Sequence, residues 1–189
     1  MRGITKTFPG VRALDKVDFD LEIGEIHTLV GENGAGKSTL IKVLSGAHKR
    51  DSGIIEINGK NVHITSPRDA IRYGIYTVQQ HFSLQPNMTV AENIKFGKYN
   101  SSIIGLVNWK RLFEETDRFL KDIGFDDIDA TKNICELSVA EGQKVEIAKA
   151  LYRKPKILIM DEPSAVLPKN DLEKLHSILQ RIKKDVGII

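Results

Sequence analysis

Apolar and polar positions follow two different periods along this chain. Val17-Asp18-Phe19-Asp20-Leu21-Glu22-Ile23 alternates apolar and acidic residues, which predicts a strand with one wetted face. Gly24 closes it, and Ile26-His27-Thr28-Leu29-Val30 predicts a buried strand running into a glycine-rich loop. Thr39-Leu40-Ile41-Lys42-Val43-Leu44 predicts the helix after that loop. Ile54-Ile55-Glu56-Ile57 and Val62-His63-Ile64 flank Asn58-Gly59, the composition of a hairpin turn. A small antiparallel sheet is therefore expected at 17–30 and 54–64. Ahead of it, residues 2–8 are mixed and close on the turn Phe8-Pro9-Gly10.

Further along, Ser66-Pro67 opens a helix that Gly74 stops, and Ile75-Tyr76-Thr77-Val78 returns to strand. Residues 81–107 carry little periodicity. Trp109, Leu112, Phe113, Leu120 and Ile123 share one helical face, with Gly124 as terminator. The polar stretch 126–134 links this helix to another that opens at Leu137-Ser138. Lys156-Ile157-Leu158-Ile159-Met160 predicts a fully buried strand, and Leu172, Leu175, Leu179 and Ile182 mark a helix over 169–184. Gly187-Ile188-Ile189 predicts the start of one more strand. Strands alternating with helices make the fold class α/β.

Composition narrows the class little. Hydrophobic residues make up 41% and charged residues 28% of 189, with 28 basic against 25 acidic side chains. A net charge of +3 gives no argument for a nucleic-acid partner. The single cysteine, Cys135, excludes an intrachain disulfide and fits a reducing compartment. No apolar run reaches the roughly 20 residues that span a bilayer.

The chemistry concentrates in the loop. Gly31-Glu32-Asn33-Gly34-Ala35-Gly36-Lys37-Ser38-Thr39 fits the phosphate-loop pattern G-x-x-x-x-G-K-[ST]. Small residues let successive backbone amides turn inward around an anion. Lys37 adds a point charge, and the Ser38 hydroxyl suits Mg²⁺. A helix N-terminus behind the loop adds partial positive charge. Asp161-Glu162 closes the apolar strand 156–160. Buried carboxylates need a cation or donors, and strand carboxyl ends in α/β sheets face the ligand crevice. Asp161 is thus suited to hold Mg²⁺ through water, and Glu162 to polarise the water attacking a γ-phosphate. Ser138 with Glu141 is a capping box, which needs no function. Its functional reading, a helix end aimed at phosphate, requires a second subunit.

Phosphate loop, glutamine-bearing strand end, Leu-Ser helix start and Asp-Glu-Pro strand end, in this order, resemble the ATP-binding subunits of ABC transporters. Val90-Ala91-Glu92-Asn93-Ile94, Asn108-Trp109 and Leu137 through Ala150 are similar to the sugar-import ATPases, whose chains carry two such domains in tandem. Gln79-Gln80-His81-Phe82 is closer to nucleoside-importer ATPases, so the cargo stays open. A non-transport ABC ATPase and a nucleotide-binding module that does not hydrolyse remain alternatives. The resemblance implies a phosphate-loop NTPase core with a parallel sheet, a small antiparallel β subdomain and a helical subdomain at about 85–150, all within one nucleotide-binding domain over 1–189.

The same resemblance implies residue roles. Phe8 stacks on adenine, although a bare reading makes it equally a core phenylalanine. Gly31 through Thr39 bind ATP, and Ser38, Gln80 and Asp161 attend Mg²⁺. Glu162 and Gln80 serve hydrolysis. Leu137, Ser138, Val139, Ala140 and Glu141 contact the ATP of a partner domain, with Val139, Ala140 and Glu141 replacing the family's usual Gly-Gly-Gln. Pro168 stands where the family places an aspartate. The chain stops at Ile189, short of the family's histidine, so a fragment trimmed at both ends is expected. Implied partners are a second nucleotide-binding domain, membrane permease subunits and, indirectly, a solute-binding protein, at the cytoplasmic face of the membrane. No nucleic acid is implied.

Overall fold

The structure is a computed structural model and describes residues 1–78, 83–97, 107–161 and 167–189. Their contacts group into two compact units. Residues 1–77, 155–159 and 182–189 form the first, and 78–154 and 160–181 the second.

In the first unit, strands β1 (Arg2–Phe8) and β2 (Val11–Val17) form an antiparallel hairpin across the Pro9-Gly10 turn. Strands β3 (Ser52–Ile57) and β4 (Lys60–Val62) form a second hairpin across Asn58-Gly59, as the dipeptide predicts. β1 also pairs with β3, so one four-stranded sheet runs β2-β1-β3-β4. Helix α1 (Lys37–Leu44) packs Leu40, Val43 and Leu44 into the core beside Ile4, Leu14 and Ile55. Helix α2 (Pro67–Arg72) starts on Ser66, whose hydroxyl accepts from the Asp69 amide, with Pro67 in the first turn.

A second sheet orders β5 (Ile75–Val78), β6 (Ile157–Met160) and β7 (Gly187–Ile188). β6 and β7 are parallel. Ile157 N donates to Gly74 O (3.1 Å), and Asp161 N to Val78 O (3.2 Å). Both sides advance together, which is a parallel register. The apolar run that predicted a buried strand is β6, where Leu158 and Ile159 are fully buried.

Two expected strands differ. The alternating stretch 17–23 is not a strand beyond Val17. The Asp18 carboxylate accepts the Gly3 amide at 2.6 Å, taking a ladder donor. The Glu22 amide donates to the Glu25 side chain (3.0 Å), and the chain turns at Ile23-Gly24. The antiparallel sheet is instead built from 2–17 and 52–62. Residues 26–30 make only an isolated parallel bridge, Ile26 to Ile188, with Ile188 N donating to Glu25 O (3.0 Å) and His27 N to Ile188 O (2.8 Å). Val30 is 87% exposed rather than buried.

The second unit is helical. Helix α3 (Val90–Lys95) carries a capping box between Thr89 and Glu92. It falls inside the stretch the sequence left unassigned. Helix α4 (Trp109–Asp122) is capped by Asn108 and buries Leu112 and Leu120. Trp109, expected on that buried face, is 49% exposed, and its ring lies against Phe113 at 6.3 Å. A single 3₁₀ turn (Ile134–Glu136) precedes α5 (Val139–Tyr152), and α6 spans Lys169–Ile182.

Helix α5 is buried nearly all round, polar residues included. Lys144 reaches Asp127 at 2.6 Å and Asp171 at 2.9 Å. Burial works against its charge, but the two carboxylates outweigh burial and raise its pKa. Glu146 accepts from the Ser83 amide and from its hydroxyl (2.9 Å). No helix among the described residues is long and apolar enough to cross a membrane.

Candidate functional site

The loop is exposed from Gly31 to Ala35, half-buried at Gly36, and leads directly into α1. Its shape comes from Gly36, which caps α1 in the left-handed region (φ 91°). A Cβ there would lie 2.6 Å from the Ala13 carbonyl oxygen and 3.0 Å from a Leu14 methyl. Gly34 is also left-handed (φ 86°), but the space around it is open. At Gly36, therefore, both conformation and room exclude a side chain, whereas at Gly34 only conformation does. The Ala35 amide donates to Glu32 O (3.2 Å), and the first helical bond runs from Leu40 N to Gly36 O (2.9 Å).

The N-terminus of α1 is uncapped by any side chain and has no acidic residue in its first turn. The leading amides of a helix find no intrahelical acceptor, so Lys37, Ser38 and Thr39 present donors with the positive end of the helix dipole. Lys37 Nζ folds back onto the loop, donating to Gly31 O (2.5 Å) and Glu32 O (2.9 Å). Ser38 is exposed and Thr39 half-buried. Amides, ammonium and hydroxyl in this arrangement fit a polyphosphate and its Mg²⁺. A carboxylate in the first turn or a side chain at Gly36 would spoil it.

Phe8 is tied to the same loop by β2. It pairs with Val11, while Ala13 on that strand is the residue against Gly36. Two strand residues, roughly 7 Å, separate the position opposite Phe8 from the one touching the loop. The Phe8 ring is half-buried and meets the His48 ring edge-on at 5.3 Å. Sequence reasoning passed over this surround, and only the Pro9-Gly10 turn hinted that Phe8 ends a hairpin strand.

The remaining site residues belong to the second unit. Leu137 is half-buried and Ser138 exposed. The Ser138 hydroxyl accepts from Glu141 N (3.3 Å), and Ser138 N donates to the Glu141 carboxylate (2.7 Å), completing the capping box. Those bonds hold the Glu141 carboxyl below its usual range. Val139 is 59% exposed and Ala140 half-buried. Asp161 directly follows β6 and is half-buried. Gln80 and Glu162 lie outside the described residues.

A strand edge, a glycine loop and a free helix N-terminus carrying Lys and Ser define a phosphate-loop nucleotide-binding protein. Residues 14–165 match the family model described as ABC transporter, and the chain belongs to that family. It is 48% identical to the ribose import ATP-binding protein RbsA 2 of Streptomyces coelicolor, over all of this chain and 36% of that protein. It is 45% identical to a putative ribose/galactose/methyl galactoside import ATP-binding protein of Rhizobium meliloti, over 97% of this chain and 36% of that one. The chain thus spans a little over a third of these relatives. Among solved structures it resembles an ATP-binding cassette of an ABC transporter in its ADP conformation (TM-score 0.81, 27% identity, 99% of this chain and 77% of that one). It matches a nucleotide-free cassette equally well (TM-score 0.81, 28% identity, 99% and 78%).

Proposed function

We propose that this chain is the first nucleotide-binding domain of a sugar-import ATPase. It binds MgATP on the Gly31–Thr39 loop and, within the longer protein, hydrolyses it to drive monosaccharide uptake through a membrane permease. The observation that carries this reading is the uncapped N-terminus of α1, with Lys37 folded over the loop and the Ser38 hydroxyl exposed beside it. The names of the two relatives described above, both from ribose or galactose import, support the cargo class.

In this reading the loop amides and Lys37 hold the β- and γ-phosphates, and Phe8 receives the adenine ring. Ser38, Asp161 and Gln80 hold Mg²⁺, which supplies charge neutralisation of the phosphates. Glu162 accepts a proton from the attacking water. The Leu137–Glu141 helix start faces the nucleotide of a second domain, so two domains clamp ATP between them. The protein works at the cytoplasmic face of the membrane, against the permease subunits, with a solute-binding protein delivering the cargo.

Calorimetry tests the site. Lys37→Ala removes the only side-chain cation of the loop and is expected to abolish measurable MgATP binding. Wild-type affinity in that variant would overturn the assignment.

A further inference from the structure

Phe8 does not stand alone at the end of β1. The Lys6 ammonium lies over its ring, 5.4 Å from the centroid, and the His48 ring meets it at an interplanar angle of 72°. Each neighbour is anchored elsewhere. The His48 amide donates to Lys42 O (2.9 Å), fixing it at the C-terminal end of α1. Lys6 Nζ donates to one Asp51 oxygen at 2.9 Å, and the other oxygen accepts the Thr7 amide at 2.7 Å. The Asp51 amide in turn donates to Thr5 O (2.9 Å). Asp51 is thus bonded to three successive residues of β1, ending beside Phe8.

This is more than an exposed ion pair. A surface pair between two free side chains adds little, but here the Thr7 amide holds the carboxylate, the Asp51 amide is bonded to Thr5 O, and the Lys6 side chain is 16% exposed against 43% for Asp51. Lys6 bonding, followed by the Thr7 amide, holds the Asp51 carboxyl below its usual range, so Asp51 is a carboxylate at neutral pH. A ring set against a fixed ammonium, with the His48 ring edge-on to it, has its orientation chosen before any ligand arrives. Preorganisation of that kind lowers the cost of binding.

We propose that Lys6 and Asp51 are positioning residues for the nucleobase end of the site, holding the Phe8 ring in the orientation that stacks on adenine. The inference rests on the reading above, in which Phe8 receives the base. It separates two parts of one ligand: Lys6 and Asp51 act on the base, Lys37 and the loop on the phosphates. The cation over the ring contributes directly as well, by the attraction between ammonium and π face.

The test compares MgATP with inorganic tripolyphosphate, which has no base, by calorimetry on the chain and its variants. Lys6→Met and Asp51→Asn are expected to weaken MgATP by about three- to tenfold and leave tripolyphosphate unchanged. Lys6→Arg, which keeps charge and pairing, is expected to retain wild-type affinity for both. Thermal unfolding of each variant monitors the fold, and Asp51→Asn, which keeps an acceptor for Thr7, serves if Lys6→Met does not fold. Equal losses for both ligands, or no loss for ATP, would overturn the positioning role. A wild-type chain that binds ATP no more tightly than tripolyphosphate would remove the base from the site. One that binds neither would instead sink the phosphate-loop reading itself.

Discussion

At the scale of single residues, the two left-handed glycines of the loop make a controlled comparison. Gly36→Ala forces a Cβ to within 2.6 Å of the Ala13 carbonyl oxygen at φ 91°, whereas Gly34→Ala meets open space at φ 86°. A left-handed conformation alone costs an L-residue roughly 1–2 kcal/mol, so Gly34→Ala is expected to lose about that much. Gly36→Ala adds a clash with backbone, which cannot step aside as a side chain can, for a total loss of about 3 kcal/mol or more. Urea unfolding of the two variants gives the difference, and equal losses would mean that β2 does not wall the loop. The loop was legible in the sequence because its chemistry is local: glycines, lysine and serine at fixed spacing carry their own reason. The surround of Phe8 was not. Lys6 and Asp51 are 45 residues apart, and only the β1–β3 pairing brings them together.

At the scale of elements, the ion cluster between α3 and α4 sets a pH dependence. Glu115 of α4 bonds to Lys95 of α3 at 2.6 Å and to Arg111, one turn back on its own helix, at 2.6 Å. Lys95, then Arg111, pull its pKa from the ordinary 4.5 to about 2. A carboxyl with a depressed folded pKa stabilises the protein fully above its unfolded value, and that contribution fades as pH falls from 4.5 towards 2. Glu115→Gln is therefore expected to lose about 2 kcal/mol at pH 7, a figure moderated by partial exposure. The gap from wild type should narrow below pH 4.5 and close near pH 2. Denaturant unfolding across that range checks it, and a gap independent of pH would refute the linkage. The elements themselves were legible where periodicity is long or caps are explicit, as in α4, α6 and the Asn58-Gly59 hairpin. They misled where side chains replace the ladder. The alternation of 17–23 is sound, but Asp18 takes the Gly3 amide and the ladder stops. β2 hid for the converse reason: register shifts in its pairing with β1 at Lys6 break the period of two.

At the scale of the whole molecule, the family was legible because several weak motifs recur in one order, although the Ser138 helix start alone is only a cap. Hydrolysis asks for more than the phosphate loop, and this chain spans about 36% of its relatives' length. Glu162, proposed above as the base, is therefore best examined in the longer protein. Glu162 follows Asp161, whose amide extends the parallel register of β5 and β6 by donating to Val78 O at 3.2 Å. Ligands of open α/β sheets bind outside the carboxyl ends of the strands. Glu162→Gln keeps the size and hydrogen-bonding reach of the side chain but cannot accept the water's proton. MgATP affinity should stay near wild type while turnover falls by about 10²–10⁴-fold, the usual contribution of a general base. The uncleaved nucleotide should then hold the two domains together, a compact species that size-exclusion chromatography with ATP detects and Lys37→Ala abolishes. If Glu162→Gln turned over ATP at the wild-type rate, the proton would have to go elsewhere, and Glu162 would be a strand end and no more.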